Sequence, residues 1–228
     1  MFRAALAAVA ALGALTAAQA HFIFVVPDPQ DPSKAVVVFS EDLEPDENVT
    51  ADRIAGLKLT CRNGAGKDAA VSHKAGKHEL TATLPGTGPR VVFGSLNYGV
   101  MQKGLGKPYL LAYHPKALVG AVPADQLVLG AKVLPVELVP VIKGDEVRFQ
   151  FLSGGKPVAG AAVTVIKTEG GKKALTTTDK DGLTEAFPAK GRYGLWTKDV
   201  VAKPGALGDK KYDEARHYAT LVMEFPAK

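Results

Sequence analysis

Five histidines, His21, His73, His78, His114 and His217, are the residues of this chain whose chemistry suits a transition metal. Neutral imidazole binds nickel, copper and zinc well, and deprotonated carboxylates can complete such a set. Cys61 is the single cysteine, which excludes an internal disulfide and any cysteine-based zinc cage. It lies in the alternating run Leu57-Lys58-Leu59-Thr60-Cys61 and is predicted to occupy a half-buried strand position. The histidines therefore carry the chemistry.

His21 has the most distinctive place. Residues 2–20 comprise Arg3, an Ala/Leu/Val stretch and Ala18-Gln19-Ala20, the pattern of a signal peptide with an A-x-A cleavage site. Cleavage there leaves His21 as the first residue, with an α-amine and an imidazole able to chelate one ion together. His114 ends the run Tyr109-Leu110-Leu111-Ala112-Tyr113 at a sheet rim, with Tyr113 beside it to support a ligand by hydrogen bonding. His217 opens the last strand on the side of Ala219, Leu221, Met223 and Phe225. A metal site of His21, His114 and His217, holding one transition-metal ion (Ni, Co or Cu), is the sharpest expectation. For His114 and His217 singly, a strand-end imidazole bonded to a carbonyl is the competing one.

His73 and His78 bracket Lys74-Ala75-Gly76-Lys77, a predicted hairpin loop. Opposed strand positions would let them share an ion, but the adjacent lysines repel cations, so a solvated tip is expected. Asp179-Lys180-Asp181-Gly182 begins like a calcium loop, yet its twelfth position is Lys190 rather than glutamate, which leaves a turn. The acidic run Glu41, Asp42, Glu44, Asp46, Glu47 reads as a solvated loop. The sequon Asn48-Val49-Thr50 matters only in a eukaryotic secretory pathway. No G-x-S-x-G, H-E-x-x-H, P-loop or dinucleotide motif occurs, so the chain is expected to be non-catalytic. A copper-dependent oxidase on the terminal histidine is a distant third reading.

These residues need a scaffold, and the sequence predicts an all-β one. Helical periodicity is scarce, and short apolar or alternating runs are punctuated by Gly, Pro, Asp and Asn about every ten residues. Strands are predicted at 21–26, 34–40, 56–62, 68–73, 78–84, 90–96, 108–114, 132–141, 145–152, 161–168, 173–178, 183–187, 191–197 and 216–225. That number suits two β-sandwich domains, 21–133 and 134–228, after the signal peptide 1–20. Turns are marked by Asn63-Gly64, Gly154-Gly155, Gly170-Gly171 and Asp181-Gly182, among others.

The second half carries Gly155-Lys156-Pro157-Val158-Ala159-Gly160-Ala161-Ala162-Val163-Thr164-Val165, then Thr178-Asp179-Lys180-Asp181-Gly182, then Gly191-Arg192-Tyr193-Gly194-Leu195-Trp196. This series resembles the prealbumin-like, carboxypeptidase-regulatory domain, a Greek-key, Ig-like sandwich. With His21-Phe22-Ile23-Phe24-Val25-Val26-Pro27 at the start and Leu134-Pro135-Val136-Glu137-Leu138-Val139-Pro140 in the middle, all of 21–228 is similar to one exported family of unassigned activity. That family is linked by analogy to the periplasmic, metal-handling component of nickel/cobalt uptake. The resemblance implies a periplasmic or secreted protein whose partner is a membrane transporter or envelope protein.

Formal charge is +5, mostly from dispersed lysines, without the clustered basic face that nucleic acid requires. The apolar run before Ala20 is short for a membrane span, and no later run is long enough, so no span is expected after signal cleavage. The reading is thus a non-catalytic metal-binding or delivery accessory. The alternative is a β-sandwich interaction or structural module, binding an envelope partner or a glycan through Tyr98, Tyr109, Tyr113, Trp196 and Tyr218.

Overall fold

A computed structural model describes residues 21–167 and 173–225. The expected signal peptide, 1–20, and the predicted Gly170-Gly171 turn lie outside these residues. The described chain is almost wholly β. In order, the strands are β1 (Phe22–Pro27), β2 (Lys34–Ser40), β3 (Lys58–Asn63), β4 (Asp68–Ala75), β5 (Glu79–Thr83), β6 (Arg90–Met101), β7 (Tyr109–Val119), β8 (Val136–Lys143) and β9 (Glu146–Ser153). They continue with β10 (Lys156–Pro157), β11 (Ala162–Lys167), β12 (Lys173–Thr177), β13 (Phe187–Pro188), β14 (Arg192–Val201), β15 (Gly205–Leu207), β16 (Lys210–Tyr212) and β17 (Glu214–Glu224).

Eleven strands form one continuous sheet in the order β1-β2-β5-β4-β3-β6-β7-β17-β14-β11-β12. It turns a corner within β4, where Asp68–Val71 pairs with β3 and Ser72–Ala75 pairs with β5. The turn brings β1 back over the middle of its own sheet. There Thr220 Oγ1 donates to the Ile23 carbonyl at 2.6 Å, and Phe22 stacks on Trp196 with ring centres 3.9 Å apart. The opposite face of the same central strands is covered by the smaller sheet of β8, β9, β10 and β13.

β7 and β17 are therefore buried on both faces, which explains their long apolar runs. Alternation sends Tyr113, Ala117, Tyr218 and Val222 into the core beneath β1, and Leu118, Ala219, Leu221 and Met223 into the core beneath β8 and β9. The two strands pair in parallel, from Glu214↔Tyr109 to Val222↔Ala117. The boundary expected near 134 falls just before β8, but this ladder joins strands from either side of it. A second tie is buried: Lys116 on β7 donates to Glu137 on β8 at 2.8 Å, with both side chains almost fully shielded from solvent.

Most predicted strands appear close to their expected bounds, and 34–40 coincides with β2. The run 183–187 differs. Only Phe187 of it enters a strand, while Thr184 turns its hydroxyl inward to accept from the Phe149 N–H at 3.0 Å. The side chain there fixes irregular backbone instead of extending a ladder. The Asp179–Gly182 segment is the predicted turn, with Gly182 at φ +72° and no room for a Cβ beside the Val158 nitrogen.

Candidate metal and proton-transfer sites

The structure divides the expected histidine set. His114 and His217 lie together on the face of the central strands that looks toward β8 and β9. His21 lies across the sheet on the opposite face, beside Tyr113. Adjacent strand residues point to opposite faces, so Tyr113 and His114 cannot serve one site. Among the described residues, no three His, Cys, Asp or Glu side chains converge as a metal site.

His21 precedes β1 and is half-buried against the ring of Phe39, which in turn packs edge-on with Tyr113. Tyr113 donates its hydroxyl to the His21 carbonyl at 3.1 Å, which fixes the backbone at this point. The His21 Nε2 faces Asp46 Oδ2 at 2.8 Å. Asp46 comes from the acidic loop expected to be merely solvated. Its other oxygen accepts from the Asn48 backbone and side chain. The Asn48 backbone N–H, and then the His21 ring, hold the Asp46 carboxyl below the usual carboxylate range. A carboxylate on one ring nitrogen orients an imidazole and leaves the other nitrogen, here Nδ1, for a ligand. The cleavage expected after Ala20 would add an α-amine on the same residue. Two nitrogen donors with open remaining positions fit a loosely ligated, exchangeable ion.

His114 and His217 form a different arrangement. His114 Nε2 stands 2.9 Å from His217 Nδ1, and His114 Nδ1 stands 2.9 Å from Ser95 Oγ on β6. The two ring centres are 5.1 Å apart, close to the largest span that this nitrogen separation permits. The nitrogens thus face each other nearly head-on. An N–H on one ring aimed at the lone pair of the other makes a hydrogen bond, and the two nitrogens do not converge on a shared ion. Burial, reinforced by His217, pushes the His114 imidazole down to about 3, and burial also lowers His217 against the opposing pull of Asp199. Both rings are neutral near pH 7.

His73 and His78 do not meet. His73 Nε2 faces the Leu57 carbonyl and His78 Nδ1 faces the Val49 carbonyl, each at 2.9 Å. Neither ring stands at an exposed tip; both are half-buried and pin neighbouring loops. None of the five aromatic residues offered as a glycan platform is exposed. Tyr98, Tyr113, Tyr218 and Trp196 instead pack in sequence, with centres 5.7 Å, 5.7 Å and 6.5 Å apart. The exposed plane that a sugar needs is missing from these residues.

Asp46 was expected only as part of a solvated loop, and Ser95, Lys116 and Glu137 were not expected as site residues. Lys116 carried a readable signal, since it falls on the same alternation as His114 and Leu118 and so points inward. Asp46 had none, because its partner is 25 residues away.

The site and fold define an all-β, sandwich-type protein. Comparison with protein-family models and with curated proteins returns no match. Solved structures similar in part include the pullulanase of Anoxybacillus sp. LM18-11, with 12% identity over 84% of this chain and 27% of that chain and a TM-score of 0.21. The tetra-tandem repeat in the extending region of a large adhesion protein matches at 14% identity over 90% of this chain and 50% of that one, TM-score 0.24. A segment of two fibronectin type-III domains from chicken tenascin matches at 11% identity over 87% and 97%, TM-score 0.22. These likenesses are too slight to bear on activity.

Proposed function

We propose that the chain is an exported, transition-metal-binding accessory protein that holds Ni, Co or Cu at its processed N-terminus and passes it to a membrane transporter or envelope partner. The observation that carries the reading is the His21 Nε2 contact with Asp46 at 2.8 Å. It turns the ring so that Nδ1, the nitrogen nearer the backbone, is left for an ion shared with the terminal amine. Tyr113 anchors the same residue through its carbonyl, so the donor pair is held before the ion arrives. Neutral imidazole and a free amine suit the nickel and copper end of the series. A bidentate set also releases an ion readily, which delivery requires. The resemblance of 21–228 to a family linked with nickel/cobalt uptake supports the same direction.

The test is a calorimetric titration of Cu(II) or Ni(II) into protein beginning at His21, against protein with one additional N-terminal alanine. The extension converts the amine of residue 21 into an amide and leaves the fold unchanged. Affinity should fall by 10-fold or more, about 1.4 kcal/mol or greater. Equal affinities remove His21 from the mechanism.

A further inference from the structure

The hydrogen-bonded line on the other face of the sheet has a direction. Ser95 is exposed at one end, His114 is buried in the middle, and His217 is half-buried at the far end. Asp199 stands directly across the ladder from His217. Its carboxylate is fixed by Ser153 Oγ at 2.5 Å and by the Val200 N–H at 2.8 Å. Local backbone chemistry explains why Ser95 is free to take part. Pro115 follows His114 and has no N–H to give, and the β6–β7 ladder is interrupted at Gly94 and Ser95. The segment is held instead by β3, whose Lys58 carbonyl packs so close to Gly94 that a Cβ would collide with it.

We propose that Ser95 is an activated nucleophile, with His114 as its general base and His217 as the relay that receives the displaced proton. The substrate class is an activated ester: Ser95 is exposed, so an acyl carbon can reach its Oγ, and a good leaving group suits a hydroxyl activated by a weak, buried base. A hydroxyl is a weak nucleophile at its ordinary pKa and gains reactivity from an adjacent base that a third group orients. Ser95 Oγ attacks the acyl carbon, forming the Oγ–C bond, and its proton passes to His114 Nδ1. In the same movement the proton on His114 Nε2 passes to His217 Nδ1. The positive charge therefore comes to rest on the half-buried ring facing Asp199 and not on the buried one. Collapse of the tetrahedral adduct breaks the bond to the leaving oxygen, which takes the proton back through the two rings. Water then attacks the acyl-serine by the same route and frees Ser95. A second imidazole is needed because the buried His114 is a poor place for a charge. The proposal is independent of the His21 reading and goes beyond it, since it assigns a catalytic chemistry.

The experiment treats metal-free protein, starting at His21, with a fluorophosphonate probe and with p-nitrophenyl acetate, followed by mass spectrometry. Modification is expected at Ser95, with none at that site in Ser95→Ala. His217→Gln should slow labelling by about 10²-fold with an unchanged unfolding midpoint, within the range of general-base effects. A low-field proton resonance from the His114–His217 bond should be present in the wild type and absent in His217→Gln. No labelling of Ser95 above that of the urea-unfolded chain overturns the proposal. An unchanged rate in His217→Gln overturns the relay. Should that variant fail to fold, absence of the low-field resonance in the wild type overturns it equally.

Discussion

Replacing Glu137 by leucine removes the acceptor of a buried charge and of two backbone donors at once. Glu137 accepts from Lys116 Nζ at 2.8 Å, from the Leu129 N–H at 3.1 Å and from the Gly130 N–H at 2.9 Å. Lys116 is wholly shielded and keeps only the Leu127 carbonyl besides. Burial presses its ammonium toward the neutral form, and Glu137 opposes that. Losing one partner of such a pair costs about 3–5 kcal/mol. The two orphaned N–H groups place Glu137→Leu toward the upper end. Lys116→Met leaves a carboxylate still holding two donors and should cost about 3 kcal/mol. The double variant removes both charges but not the orphaned N–H groups, so it should cost about 2–4 kcal/mol, well short of the sum. Urea unfolding of the four proteins reads these values directly, and Glu137→Leu should also lower the melting midpoint by roughly 6–20 °C. A Glu137→Leu cost under about 1 kcal/mol, or single effects that add within about 0.5 kcal/mol, would refute the view that this pair locks β7 to β8.

The buried imidazole also predicts a pH dependence. His114 titrates near 6.5 when unfolded and at about 3 when folded, so between these values the unfolded chain binds more protons. Stability is fully present above about 6.5 and falls as pH drops toward 3, by up to roughly 4–5 kcal/mol, with His217 adding in the same direction. Denaturation free energies between about pH 6.5 and 5, above the range where carboxylates titrate, should show this slope; His114→Gln should flatten it, and an equal slope in both proteins would count against the burial argument. At the other site, Asp46→Asn should weaken metal affinity by about 10–100-fold if its carboxylate orients the His21 ring. Titration with Cu(II) checks this, and an unchanged affinity would leave Asp46 without a role.

Much of the fold was written locally. Lys34–Ser40 and the Glu146–Ser153 strand are bounded by turn residues and alternate or run apolar over their length, so pattern alone gave the first its limits and placed the second, expected at 145–152, within one residue. His217 was placed correctly at the end of an inward face because period-two alternation from Ala219 to Met223 fixes it. What could not be read was long-range pairing. The parallel register of β7 with β17 joins residues about a hundred positions apart, and no local residue type encodes it. That pairing, with β1 folding back over it, puts Tyr113 and His114 on opposite sides of a wall. A three-histidine site was consistent with every spacing in the sequence and fails on this one topological fact. The acidic loop behaved similarly: five carboxylates within Glu41–Glu47 read as solvent-facing, and only the return of β1 shows why Asp46 is held.

The central claim is that processing creates an amine–imidazole donor at His21, and electron paramagnetic resonance of the Cu(II) adduct addresses it most directly. With protein beginning at His21 and one equivalent of copper, the spectrum should show hyperfine structure from a terminal amine and one imidazole nitrogen. That structure should change on selective ¹⁵N labelling of histidine and vanish in the alanine-extended protein. A spectrum identical in the two proteins, or one of copper bound only to oxygen, would contradict it.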